Sequence, residues 1–329
     1  MKKTVLSCLL ALVAGSALAQ SADLVITPRL EGSMTKLVSE TKPSFDMGQS
    51  SVYVDLDGVF ANENFSYSVE AQLLNTDPVS LYNYAAPFEN GTWLNWAYLS
   101  YDNGFFGADL GKIALNTGLF EYDAYDWQSY ANLASNTWNN ITVYQYGATL
   151  RLTPWETQVF EGQIATSPSM VSLSNFDLAY SFCWKGSFGG FSARAALLRH
   201  RFTEEDARGW FSQIGVGLRY DFEKCNIQID GTNGTFATLS GWEQSEFTGR
   251  FNYTAGENKL FHCGAFFGIQ NLDLPYYGGY VEFYPLKDDN FRIHGTVSRR
   301  AYDIASDTYG SYTTATVGLI YSFNIHLGK

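Results

Sequence analysis

The stretch Phe65-Ser66-Tyr67-Ser68-Val69-Glu70-Ala71-Gln72-Leu73 alternates without a break. Phe65, Tyr67, Val69, Ala71 and Leu73 fall on one side; Ser66, Ser68, Glu70 and Gln72 fall on the other. A strand turns successive side chains to opposite faces, so this period reads as extended chain with one face in apolar surroundings and one in water. Just upstream, Val52, Val54 and Leu56 alternate with Tyr53, Asp55 and Asp57. Earlier still, Ile26, Pro28 and Leu30 oppose Thr27, Arg29 and Glu31. Downstream, Phe176, Leu178, Tyr180, Phe182 and Trp184 all share one side. Strands of soluble domains are mostly about 5–6 residues long, and they rarely sustain this contrast, segment after segment.

Sixteen such segments can be placed. They lie near Leu24–Ser33, Ser51–Gly58, Phe65–Leu73, Thr92–Asp102, Phe105–Ile113, Ile141–Leu152, Thr157–Ala165 and Asn175–Trp184. The other eight lie near Phe191–Arg199, Trp210–Phe222, Asn226–Thr232, Ser245–Thr254, Leu260–Gln270, Gly279–Tyr284, Phe291–Arg300 and Tyr312–Ile325. Many approach the roughly 9–11 residues that a tilted strand needs to cross a bilayer. The connections sort by length. Turns such as Ala61–Asn64, Asp102–Gly104 and Glu223–Cys225 are short, whereas Thr35–Gly48, Asn75–Gly91 and Ala114–Asn140 are long and polar. Short turns on one rim and long loops on the other are a feature of outer-membrane barrels; a soluble sandwich has no reason to segregate its loops.

The composition agrees. Aromatic residues make up 16% of the chain, with 24 Phe and 22 Tyr against 4 Met, while charged residues are held to 16%. An apolar outer skin around a polar lumen averages out this way. The expected fold is therefore an all-β transmembrane antiparallel barrel of about sixteen strands, embedded in the bacterial outer membrane. Barrels of 16–18 strands are too wide for side chains to fill and leave an aqueous channel, which points to passive diffusion of small hydrophilic solutes and ions.

At the N-terminus, Lys2 and Lys3 precede an apolar run from Val5 to Ala14 and a small-residue site, Ala17-Leu18-Ala19. This is the three-part pattern of a secretory signal peptide. Residues 1–19 are expected to be removed, leaving 20–329 as the barrel domain. The chain carries 21 basic and 33 acidic residues, a net charge of −12; losing Lys2 and Lys3 takes it to −14. That balance disfavours nucleic acid as a partner, since phosphate binding needs a basic surface. Cys183, Cys225 and Cys263 remain, without metal-ligand spacing, and read as small wall residues. The four histidines, His200, His262, His294 and His326, fall in no nucleophile or metal motif. No enzyme activity, metal or cofactor is expected.

Gly279–Arg300, GYVEFYPLKDDNFRIHGTVSRR, resembles the late hairpin of the phosphate-selective porin O and P family: an acidic-aromatic strand, a Pro turn, then a strand opening on Arg and His. Ala97–Glu121, AYLSYDNGFFGADLGKIALNTGLFE, resembles that family's approach to its third loop. The resemblance implies a trimeric porin whose third loop folds inward and narrows the pore. It also implies lysines along the pore. Only eight Lys remain after residue 19, most of them in expected loops or turns, which argues against phosphate selectivity.

Alternation assigns charges to the lumen, because a charge facing lipid at mid-depth costs about 2–4 kcal/mol. Wall candidates are Arg29, Arg151, Arg194, Arg219, Arg250, Arg292 and Arg300 with Glu31, Asp55, Asp57, Glu70, Glu161, Asp177, Asp221, Asp230, Glu246 and Glu282. The third long loop, Ala114–Asn140, carries Glu121, Asp123 and Asp126 with Tyr122, Tyr125 and Trp127. An acidic loop facing a basic wall would set a transverse field at the constriction, and the excess of lumen acids would favour cations. Two other functions fit a barrel. One is a sugar-binding channel with Trp96, Tyr98, Tyr122, Tyr125 and Trp127 as an aromatic track; the other is a structural or adhesive barrel acting through its loops.

Overall fold

In the computed structural model, the described residues are 19–47, 50–60, 62–76, 94–123, 130–135, 137–138, 141, 143–168, 177–204, 207–236, 245–255, 260–286, 290–305 and 308–327. The strands in the first half are β1 (Ala19–Leu37), β2 (Ser44–Asp46), β3 (Ser50–Phe60), β4 (Phe65–Thr76), β5 (Leu94–Asp102), β6 (Phe106–Ala114), β7 (Tyr144–Trp155), β8 (Gln158–Thr166) and β9 (Leu178–Phe188). In the second half they are β10 (Phe191–Glu204), β11 (Ala207–Asp221), β12 (Cys225–Phe236), β13 (Ser245–Ala255), β14 (Phe261–Gln270), β15 (Leu274–Phe283), β16 (Phe291–Ala305), β17 (Thr308–Tyr321) and β18 (Phe323–His326). The three-residue β2 lies in the first long connection, and β18 continues β17 beyond Ser322, so these segments build the expected sixteen staves.

Neighbouring staves pair antiparallel all the way round, and β1 closes the ring. It pairs with β3 on one side, Leu24 opposite Leu56, and with β17 and β18 on the other, Leu30 opposite Leu319 and Leu24 opposite Ile325. Closure is what lipid demands: an unpaired backbone group in hydrocarbon costs several kcal/mol, and a closed sheet has no edge.

The two faces separate as the alternation requires. Along β11, Ile214, Val216, Leu218 and Tyr220 point outward with 42–56% of their surface exposed, and Gln213, Gly215, Gly217 and Arg219 point inward. Leu30, Leu150, Phe182, Leu197, Ile229, Val297 and Val317 continue the apolar exterior on other staves. Near the short turns, Trp155, Phe188, Phe222, Phe283 and Phe323 form an exposed aromatic rim, which suits the boundary between lipid tails and water. The free cysteines follow the wall reading: Cys183 is buried and Cys225 and Cys263 half-buried.

Several strands run further toward the long-loop rim than their sequence pattern indicates. β10 reaches Glu204 and β11 begins at Ala207, where alternation ends near Arg199 and Trp210. β15 starts at Leu274 rather than Gly279, leaving Asn271–Asp273 as its link to β14; Asn271 and Leu272 adopt positive φ there. β1 runs on to Leu37 where its pattern ends near Ser33, and at the opposite, short-turn rim it begins at Ala19 rather than Leu24. Beyond the lipid belt both faces meet water, so pairing continues while the apolar contrast disappears.

The register has a direct consequence. Val216→Arg puts a charge on the lipid face at the middle of β11 and is expected to lower folding stability by about 2–4 kcal/mol. Arg219→Gln, on the lumen face of the same strand, is expected to change it far less. Urea unfolding in lipid vesicles, read by gel mobility of unboiled samples, checks both; equal losses would overturn the register.

Candidate functional site

The third long connection leaves β6 at Ala114 and returns at Tyr144, and its described residues lie against the inner wall of the barrel. Its entry is set by Leu115, which packs with inward-facing Ala165, Ala179 and Leu198. Beside it, the Asn116 backbone N–H donates to Gln163 Oε1 at 3.0 Å, and the Asn116 side chain donates to Glu161 Oε2 at 2.9 Å. The next residues press against the wall. Gly118 has φ +76° and its Cα sits so close to β10 that a Cβ would come within 2.7 Å of the Ala196 nitrogen. A Cβ at Gly215 would overlap the Thr117 carbonyl. Glycine on the loop and glycine on the wall thus let the two backbones meet.

A short 3-10 turn, Phe120–Asp123, follows. Asp230 of β12 caps it: Oδ1 accepts from the Phe120 N–H at 3.0 Å and Oδ2 from the Glu121 N–H at 3.2 Å. Glu121 is buried and accepts from Arg250 at 2.7 Å and from the Ser135 N–H at 2.8 Å. Asp123 pairs with Arg194 through both guanidinium nitrogens, one of them at 2.7 Å, and that guanidinium lies 4.2 Å from the Phe120 ring centre. Glu246 accepts from the Thr137 N–H and hydroxyl at 2.8 and 2.6 Å. Tyr130 donates to Glu282 at 2.5 Å, and Asn132 donates to Thr296 at 2.7 Å. Burial raises the pKa of the Tyr130 phenol, which keeps it protonated and able to donate. Tyr130 and Leu133 pack on Phe266 and Tyr276. Arg300 donates to the Ala134 carbonyl. These contacts run from β8 through β16, so the described part of the loop follows one side of the lumen.

This corrects the expected transverse field. Glu121 and Asp123 do not face Arg250 and Arg194 across an open gap; they are bonded to them. The physical reason is reach: the loop lies on the wall at hydrogen-bond distance, so opposite charges meet directly. Tyr122 also leaves the expected track, its ring centre 4.7 Å from that of Trp138. Trp96 is buried, its indole N–H donating to Ser68 at 2.8 Å and its ring 5.4 Å from Tyr144. Tyr125, Asp126 and Trp127 lie outside the described residues.

Other expected wall residues face inward and are paired. Arg29 bonds Glu31 at 2.6 Å, and His294 reaches over Gly318 to the same carboxylate at 2.7 Å. Arg151 joins Asp102, Asp109 and Glu161, the last also held by Lys185 at 2.7 Å. Arg219 pairs with Asp221 at 2.7 Å near the short-turn rim. Arg292 pairs with Glu282 at 3.0 Å, and Glu70 accepts from Asn95 at 2.5 Å. Sequence reading missed the tethering role of Asp230 and Glu246, taking both only as lumen charges. It also missed the seat at Gly215 and Gly217. The signal was available: two glycines at inward positions, separated by an outward Val216, mark a place where another backbone approaches.

No protein-family model matches the chain, and no curated protein matches it in sequence. Solved structures do match in fold. The anion-selective porin from Comamonas acidovorans superposes with a TM-score of 0.64 at 10% identity, over 92% of this chain and 100% of that one. An in-vitro folded outer-membrane protein of Vibrio cholerae, OmpT in its trimer form, gives 0.59 at 12% identity over 92% and 100%. A mutant of the Rh. blastica porin gives 0.57 at 13% identity over 91% and 100%. The chain has the fold of these bacterial outer-membrane porins.

Gly215→Val forces Thr117 off β11. The variant is expected to assemble as a barrel but to show larger or fluctuating single-channel currents, because the loop can no longer seat. Currents identical to those of the parent would mean that the loop does not limit flow.

Proposed function

We propose that the protein is an outer-membrane porin, a water-filled channel for passive diffusion of small hydrophilic solutes and ions. The observation that carries this reading is a closed sixteen-stave barrel, apolar outside and charged inside, with a loop bound to one wall of its lumen. Residues 1–19 act as the export signal, the long-loop rim faces the cell exterior, and the working form is a homotrimer, by analogy with the Vibrio cholerae protein described in trimer form. Single-channel recording in planar bilayers is expected to give stepwise currents that scale with salt. Vesicles containing the protein are expected to swell in small sugars at rates that fall with solute size. Absence of both would overturn the reading.

The Comamonas neighbour is described as anion-selective; at 10% identity its charges do not transfer to this chain. Here the selectivity charges are those outside the loop's ion pairs. Asp55 is half-buried and hydrogen-bonded to Glu70, another acid, and Asp57 is exposed on the lumen face of β3, whereas Glu121 and Asp123 are matched by arginine. A weak cation preference follows, fading as salt shortens the Debye length from about 10 Å at 0.1 M. Asp55→Asn with Asp57→Asn is expected to move the zero-current potential in a salt gradient toward anions; an unchanged potential would remove these carboxylates from the pore.

Kinship with the phosphate-selective porin O and P family rests on the Gly279–Arg300 hairpin, in which Glu282 stands opposite His294. Lys185, on the lumen face of β9, is held by Glu161. Millimolar phosphate is therefore expected to leave chloride current unchanged, and block by phosphate would extend the kinship to function.

A further inference from the structure

The outer surface has one feature that a channel does not require. Between β13 and β17 the lipid-facing wall sinks into an apolar groove of about 660 Å³. Register explains it. Ala265, Gly279, Val297 and Ala315 stand side by side on successive staves, and Gly295 follows one step lower, beside Val317. The floor is thus glycine and alanine, and the banks are the exposed valines. Gly295 is not required by the backbone: a Cβ there would meet nothing closer than 3.7 Å, and its φ is not positive. The chain omits a side chain where one fits, and it does so on the face that meets lipid.

One step toward the long-loop rim, the same register brings up charge. Arg299 stands opposite Thr313, and Thr313 opposite Lys36. Arg299 and Lys36 are exposed, and Tyr277, opposite Arg299 on the other side, is 50% exposed. In a chain of net charge −12, two cations on this outward face at the head of an apolar groove are a charge pattern with a polarity. It is apolar toward the membrane middle and basic at the rim.

We propose that this groove is a binding site for an anionic lipid of the outer leaflet. An acyl chain lies over Gly295 and Ala315, and the phosphate of the headgroup sits between Arg299 and Lys36. Basic side chains at the membrane surface attract anionic headgroups, and a groove already lined by alkyl groups receives a chain without opening the wall. The proposal goes beyond the channel reading and uses only its membrane orientation.

The test uses the full-length folded protein in detergent, titrated with phosphatidylglycerol or with phosphatidylcholine of the same chains and followed by native mass spectrometry. The parent is expected to bind one phosphatidylglycerol about tenfold more tightly than phosphatidylcholine. Lys36→Gln with Arg299→Gln is expected to erase that preference while leaving phosphatidylcholine binding unchanged. Gly295→Phe, which fills the groove, is expected to weaken both lipids. Ala315→Leu serves if that variant does not assemble, and gel mobility of unboiled samples reports assembly. Equal affinity of the parent for the two lipids, or a preference that survives loss of both cations, would overturn the proposal. So would a Gly295→Phe variant that binds lipid normally but no longer forms oligomers, since the groove would then be covered by a second copy. Single-channel conductance is expected to stay at the parent value in every variant, which separates failure here from failure of the porin reading.

Discussion

Backbone hydrogen bonding in lipid is the constraint on which the rest of this molecule depends. Hydrocarbon offers no partner to a free N–H or C=O, so the sheet must close on itself. Closing it through sixteen staves fixes a circumference that side chains cannot fill. The lumen is therefore a consequence of closure at this strand number. What remains for the sequence to decide is how that lumen is furnished and how the outer face meets its solvent.

The furnishing is a loop, and an inward loop raises its own hydrogen-bonding problem. Irregular backbone buried against a wall leaves donors unsatisfied unless side chains accept them. Asp230 receives two consecutive N–H groups, Glu246 receives the Thr137 N–H, and Glu121 receives that of Ser135. Charged acceptors make stronger bonds than neutral ones, so a few carboxylates suffice. Their charge is balanced locally where arginine is at hand, as at Arg250 with Glu121 and Arg292 with Glu282. Removing one member of such a buried pair leaves the other uncompensated, which costs far more than the pair contributes as a whole. The network therefore fixes the loop's position more firmly than it raises overall stability.

How much of this was legible follows from what each feature leaves in a linear pattern. The barrel wrote itself into the sequence because lipid and water impose opposite demands on alternate residues; Phe65–Leu73 carries that contrast, and so does β11 from Ile214 to Tyr220. Strand ends did not, because Arg199 to Glu204 lies beyond the lipid belt, where the contrast vanishes. Inward direction of the wall charges was readable residue by residue, and Arg29, Arg151, Arg250 and Glu282 all face the lumen. Their partners were not readable. Glu121 and Arg250 stand 129 positions apart and Tyr130 and Glu282 152 apart; no local period links them. The glycines at 215 and 217 were visible, but a glycine in a strand signals close approach without saying of what.

That limit explains why counting charges misleads in a pore. Summing acids and bases treats every lumen charge as equally felt by a passing ion. A carboxylate bonded to a guanidinium at 2.7 Å, as Glu121 is to Arg250, forms a dipole whose field fades within a few ångströms. A carboxylate whose surroundings do not neutralise it acts over the Debye length, about 10 Å at 0.1 M salt. The chain places several of its acids in the first class by using them to seat the loop. On the proposed porin reading, selectivity would belong to the small remainder of lumen carboxylates that the loop does not engage, such as the exposed Asp57. The structural demand of holding irregular backbone inside a barrel thus comes first, and the electrical character of the channel is what that demand leaves over.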